Sequence, residues 1–132
     1  MKEISKIFLL NPKKEVLLCL RDNKPEIPYP NYWAEIGGEI ENNETPLRAV
    51  KREINEEISC RVHNISFLGE AIDYLSNCKI FYFKGNFFEE LKNIKFYEGQ
   101  KIRIFAFEEL NKLLLPPTLK TFILKNKDKI FS

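Results

Sequence analysis

A mixed β-sheet with helices on both faces, an α/β (α+β) arrangement, is the fold class this sequence predicts. Three observations carry it: strand-like segments early, midway and late in the chain, one strongly amphipathic helix between them, and a second helical region after Pro116-Pro117. Residues 1–132 read as a single domain, long enough to bury about two-thirds of its unfolded surface. A hydrophobic content of 44%, with 13% aromatic residues, supplies a core.

Taken in order, Ile4 to Leu10 and Val16 to Arg21 are β-like and are joined by a turn over Asn11 to Glu15, which predicts a hairpin or adjacent strands. Asp22 to Asn31 reads as a loop, because Pro25, Pro28 and Pro30 each remove a backbone donor. Tyr32 to Ile36 is a short extended piece leading into Gly37-Gly38. From Thr45 to Ile58, Leu47, Val50, Ile54 and Ile58 recur at helical spacing, so one stripe is expected to face a core. Glu44 and Thr45 can satisfy orphan N–H groups at the helix start, and Pro46 suits its first turn. Val62 to Tyr74 and Lys79 to Asn86 read as strands around Leu75 to Cys78, and Lys101 to Phe107 as another. Glu108 to Leu114 predicts a short helix and Thr118 to Lys129 a longer one.

Composition limits the partners. A net charge of +2, with 21 basic and 19 acidic residues interspersed, gives no field suited to a nucleic-acid polymer. The lysines near the C-terminus, Lys120, Lys125, Lys127 and Lys129, read as a solvated helix face. Cys19, Cys60 and Cys78 are odd in number and form no close-spaced pair, so reduced cysteines and a cytoplasmic setting are expected. No run approaches a membrane span, and the apolar stretch Ile7 to Leu10 is too short for a secretory signal.

The most informative segment runs from Gly38 to Cys60, GEIENNETPLRAVKREINEEISC. Glu53, Glu56 and Glu57 stand at i, i+3 and i+4, so their carboxylates converge on one side of the helix, displaced from the apolar stripe. Like charges so placed cost roughly 0.2 to 0.5 kcal/mol on an isolated helix. A hard divalent cation reverses that sign, since Mg²⁺ or Mn²⁺ prefers oxygen ligands and bridges to phosphate. A merely solvated charged face needs neither the glycine turn fifteen residues before Glu53 nor the spaced pattern that joins them.

That pattern resembles the Nudix box: Gly38, Glu44, Arg52-Glu53-Ile54, Glu56-Glu57 and Ser59-Cys60 fill its positions, with Ser59 where glycine is usual. Outside the box, Trp33-Ala34-Glu35-Ile36-Gly37-Gly38 is similar to the family's tryptophan-to-glycine approach, with Ile36 in place of proline, and Tyr97-Glu98-Gly99-Gln100 resembles its late glutamate-glycine segment in mutator-type (MutT-like) members. The resemblance implies an α/β/α sandwich and a hydrolase that attacks a nucleoside diphosphate linked to another group. Water attacks one phosphorus of the pyrophosphate while bound cations, Mg²⁺ or alternatively Mn²⁺, neutralise and align the reacting oxygens. It further implies Glu53, Glu56, Glu57 and Glu98 as catalytic and metal-binding, with a backbone carbonyl of Gly37 or Gly38 as a further ligand. Glu53 and Glu98 are the candidates for general base, and Glu44 and Arg52 orient the helix and its carboxylates. Family members are often dimers, so a homodimer is among the expected states.

For substrate contacts, the candidates are Arg21 and Gly38 toward phosphate, Phe81 as a stacking surface, and Leu119. In relatives that act on oxidised guanine triphosphates an asparagine reads the base at the position of Leu119, and an apolar residue cannot make that contact. Discrimination is therefore expected to rest on shape, and the oxidised-guanine diphosphatase reading is the weaker one. The loop from Arg21 to Pro30 resembles a specificity loop, for nucleotide sugars or other nucleoside diphosphate conjugates. A silent nucleotide sensor with this fold is the alternative class, but a sensor has no need of three mutually repelling carboxylates.

Overall fold

The computed structural model describes residues 1–132. Strands β1 (Lys2–Leu10) and β2 (Val16–Leu20) pair antiparallel at Leu9↔Leu17 and Leu10↔Val16. Asn11 sets the turn between them, its Oδ1 accepting from the N–H groups of Lys13 and Glu15. The segment expected as one extended piece is two strands. β3 (Trp33–Ala34) pairs with β2, and β4 (Ile36–Glu39) pairs with Ile4 to Ile7 of β1, so the chain changes partner at Glu35.

The hairpin β5 (His63–Asp73) and β6 (Cys78–Asn86) contains two register shifts, and β6 runs parallel to β1 from Lys2↔Cys78 to Leu10↔Asn86. β7 (Lys101–Phe105) lies antiparallel on β2. The result is a seven-stranded mixed sheet ordered β3-β2-β1-β6-β5, with β4 added to β1 and β7 to β2.

Strand alternation divides the core in two. Ile7 and Leu9 of β1 and Leu17 of β2 pack under helix α1 (Pro46–Glu57) with Val50, Ile54 and Ile58. Phe8, Leu10, Val16 and Leu18 face the other side, against Leu119, Phe122 and Ile123 of α2 (Pro117–Lys125) and Ile130 of α3 (Lys127–Phe131). Both sheet faces are thus covered, as the order of elements predicts. None of the helices is long and apolar enough to cross a membrane.

Helix α1 starts where its sequence says it should. Thr45 Oγ1 accepts from the Arg48 N–H at 3.1 Å, and Pro46 occupies the first turn. Leu47 departs from the expected stripe and is 40% exposed. It lies in the first turn, which Ser5 Oγ anchors by donating to the Pro46 carbonyl at 2.7 Å. At the other end Ile58 is extended (φ −148°) and bridges to Phe96, so the helix leaves without a left-handed residue. Ser59 therefore replaces glycine without strain, and its N–H and Oγ bond the backbone of Lys95.

Two C-terminal expectations are corrected. The region expected as a short helix is a 3₁₀ turn over Phe107–Lys112, which ends the preceding strand at Phe105, and the longer helix is broken at Asn126 (φ −121°, ψ 24°). Its Nδ2 donates to the Phe122 carbonyl at 3.0 Å, a local bond that competes with helix continuation.

Gly37 is the backbone position with least tolerance. Its φ is +147°, and a Cβ there would lie 2.0 Å from the Ser5 carbonyl oxygen on β1. Gly37→Ala is expected to lower stability by about 2 kcal/mol or more, measured by urea unfolding; an unchanged midpoint would show that β4 can shift off β1 at little cost.

Candidate active site

The Gly37-Gly38 turn, the C-terminal half of α1 and the loop before β7 meet at one end of the sheet. A Cβ on Gly38 would lie 2.7 Å from the Glu53 carboxylate, so the glycine admits that carboxylate directly against the β4 backbone. One carboxylate oxygen each from Glu53, Glu57 and Glu98 lies within 4.8 Å of the others. Glu98 comes from a loop fixed at both sides: Tyr97 N–H donates to the Glu57 carbonyl at 2.8 Å, and Gln100 N–H to the Leu20 carbonyl at 2.9 Å.

Glu57 is not displaced from the apolar stripe as expected; it is 6% exposed, and its Oε2 has no hydrogen-bond partner. Burial and the adjoining Glu53 carboxyl raise its pKa to about 9, with the Lys6 charge opposing. An orphaned, buried carboxylate oxygen beside two other acidic oxygens fits a hard divalent cation, whose charge would reverse the penalty. The donor set is all oxygen, as Mg²⁺ or Mn²⁺ requires.

Glu56 does not join this group. Its side chain is 57% exposed and lies 3.3 Å from Arg52 NH1. Arg52 itself grips Glu44 with Nε and NH2 at 2.7 and 3.0 Å, donates from NH2 to the Glu39 carbonyl, and donates from NH1 to Glu53 at 2.9 Å. The Arg52–Glu44 hydrogen bonds hold the Glu44 carboxyl below the usual range, and Glu44 Oε1 also accepts from the Glu41 N–H. The guanidinium fork therefore ties the loop before α1, the end of β4 and Glu53 into one unit.

A cleft of about 1200 Å³ opens from this end of the sheet, lined by Gly37, Gly38, Arg21 and Leu119 among the residues singled out from sequence. Arg21 donates from Nε to the Pro28 carbonyl at 2.9 Å, so it also shapes the proline-rich loop. Phe81 is a correction: it packs on the α1 side with Phe67 and Phe83, under the Lys79 ammonium, because odd-numbered β6 residues point away from the cleft. Its neighbour Tyr82 lines the cleft in its place.

Sequence reasoning missed Lys6, Glu35, Tyr29 and Asp73. Lys6 has the parity of Ile4 and Phe8 on β1, and a charge at an inward position directly before the apolar run Ile7 to Leu10 was the available signal. Its Nζ donates to the Glu35 carbonyl at 3.4 Å and has no acidic partner within ion-pair distance. Glu35 is 4% exposed in the cleft wall, and burial lifts its carboxyl above the usual range while Lys6 opposes the shift. Tyr29, on the proline-rich loop, donates to Asp73 at 2.9 Å and so fastens that loop to the end of β5.

A model of the NUDIX domain matches residues 4–125. The fold is similar to MutT from Methanosarcina mazei Go1, with TM-score 0.76 and 20% identity over 97% of this chain and 94% of that one. One of the MutT proteins of Aliivibrio salmonicida and Vibrio cholerae gives TM-score 0.73 and 19% identity over 94% and 98% of the two chains. A Nudix hydrolase from M. smegmatis gives 0.69 and 19% over 96% and 83%.

The raised Glu57 pKa fixes the sign of a pH effect. Between the ordinary carboxylate range and about 9 the folded metal-free protein holds a proton that the unfolded chain has lost. Stability is therefore present below that window and is lost as pH rises through it. The melting temperature of the metal-free protein is expected to fall from pH 5 to pH 9, and millimolar Mg²⁺ should flatten the decline. A flat profile without metal would mean that Glu57 is ordinarily ionised.

Proposed function

This chain belongs to the Nudix family, as a hydrolase acting on pyrophosphate bonds of nucleoside diphosphate derivatives, and from that premise we propose that it is a Mg²⁺-dependent pyrophosphohydrolase with Glu53, Glu57 and Glu98 as its acidic centre. The observation that carries this reading is the convergence of the three carboxylates within 4.8 Å around the orphaned oxygen of Glu57. Residues 1–132 act as one domain in this reading, on a small-molecule substrate and without a membrane or nucleic-acid partner.

When bound, the cation supplies neutralisation of phosphate charge and activation of water. Glu53 and Glu57 would hold it, and a backbone carbonyl of the Gly37-Gly38 turn would be a further oxygen ligand. Arg52 keeps Glu53 in position through the 2.9 Å bond from NH1. Lys6 and Arg21 line the cleft with positive charge and bind the pyrophosphate, which lowers the cost of bringing an anion beside three carboxylates. Glu98, the exposed member of the set, takes the proton of the attacking water, a role typically worth about 10²- to 10⁴-fold. Glu56 serves the site through Arg52 and outside the carboxylate group.

Glu57→Gln tests the reading with two readouts. Turnover is expected to fall roughly a hundredfold or more, since one anionic ligand is removed without opening a cavity. The metal-free variant should melt no lower than the parent at pH 8, because folding no longer has to return to residue 57 a proton that the unfolded chain has lost, and its stabilisation by Mg²⁺ should shrink. Near-normal turnover at saturating Mg²⁺ would remove Glu57 from the acidic centre.

A further inference from the structure

Two buried side-chain polar atoms lack any hydrogen-bond partner, Glu57 Oε2 and the Tyr82 hydroxyl. The first is accounted for by the acidic centre. The second lies away from it, on the α2 face of the sheet, where Tyr82 is 0% exposed and its ring is clamped by Phe122 at 4.0 Å and Phe8 at 5.6 Å. A buried hydroxyl without a partner is costly, and phenylalanine would fill the same space without that cost. Glu35 lines the same cleft and is 4% exposed, and its carboxyl accepts from its own backbone N–H but from no side chain of the protein. Glu35 is held there by backbone constraint: it is the residue at which the chain passes from β3 to β4, and its carbonyl is fixed by Lys6 Nζ.

Resting on the hydrolase reading, we propose that the Tyr82 hydroxyl and the Glu35 carboxyl form a recognition pair that hydrogen-bonds the pairing edge of the substrate's nucleobase. A carboxyl in either protonation state keeps an acceptor oxygen for a ring or amino N–H, and the phenol donates to an adjacent ring nitrogen or carbonyl. Donor beside acceptor is the pattern on that edge of a nucleobase. Ile4, Ile80 and Leu119 line the same cleft and give it apolar surface against which a flat ring can lie. A sugar carries hydroxyls around its whole rim and would leave most of them unpaired against those residues, whereas a base presents two apolar faces and one polar edge. Base discrimination thus comes from groups other than an amide on α2, and the expectation that shape alone decides gives way.

The test uses the full chain with Mg²⁺, the four common nucleoside triphosphates, N1-methyl-GTP and N3-methyl-UTP as edge-blocked probes, and non-hydrolysable α,β-methylene triphosphates for binding. Sites that hydrogen-bond a substrate group reject analogues lacking it by roughly 10⁴-fold, against about 10- to 200-fold for apolar pockets. The expected result is a preference of roughly a thousandfold or more among bases in kcat/KM, lost on methylation of the favoured edge. Tyr82→Phe should cut that preference by roughly tenfold or more while melting no lower than the parent, which a structural tyrosine would not do. Glu35→Gln, which keeps the shape but exchanges one carboxyl oxygen for an NH2 donor, should alter which base is preferred. Flat base selectivity in the parent, or a preference unchanged in both variants, would overturn the pair while leaving the hydrolase intact. Selective binding of the α,β-methylene probes that Tyr82→Phe flattens, with no turnover of any substrate, would retain the pair and overturn the hydrolase.

Discussion

One edge of β1 is divided between two partners, β4 along Ile4 to Ile7 and β2 at Leu9 and Leu10, and a single flat sheet cannot serve both. β2 turns away to pair with β3 and β7, while β4 stays on β1, so the sheet splits. The chain crosses that split at Glu35, whose carbonyl accepts from Lys6 and approaches the Cys19 thiol at 4.0 Å. Everything of functional interest lies around this division. It creates the cleft, it brings the glycine turn against α1, and it forces a charged residue into a wall where the backbone permits no retreat.

The acidic centre depends on a second device, the Arg52 fork. Three carboxylates drawn together at the end of a helix repel one another, and burial of Glu57 sharpens the conflict by denying it water. Arg52 cannot neutralise Glu57, which it does not touch. Instead it takes Glu44, Glu53 and Glu56 into one network, so that the helix and the loop before it stay in register with β4. A bound cation would relieve the residual repulsion. Such a site costs stability when empty and gains it on binding, a coupling between metal occupancy and folding.

The proline-rich loop has its own anchor. Tyr29 has φ +51°, and its hydroxyl reaches Asp73, which also accepts from Ser76 Oγ and the Leu75 N–H. Gln100 spans from the Glu98 loop to the Arg21 carbonyl and Asn31 Oδ1. Both loops that border the cleft are therefore tied to its strands, and to each other through Gln100. Under the proposed function, these bonds, and not the prolines alone, set the space available to the group beyond the pyrophosphate.

The sequence by itself determined what is periodic or local. The alternation in β1, β2 and β6, the Thr45-Pro46 start of α1 and the i, i+3, i+4 glutamates each depend on neighbours a few residues away, so their spacing encodes them. The glycine turn was legible for the same reason, since a φ of +147° at Gly37 needs a residue without a side chain. What only the tertiary structure decided is which groups lie beyond the reach of local spacing. Glu56 and Glu57 are consecutive, yet one turns to Arg52 and the other is buried, because the packing of α1 on β1 and β4 fixes its rotation. Phe81 and Tyr82 exchange roles because the parallel register of β6 against β1 sets which of them faces the cleft. Lys6 and Glu35, twenty-nine residues apart, meet because the sheet divides between them. Long-range pairing is set by the competition of β4 and β2 for the same edge, and no single segment carries that information.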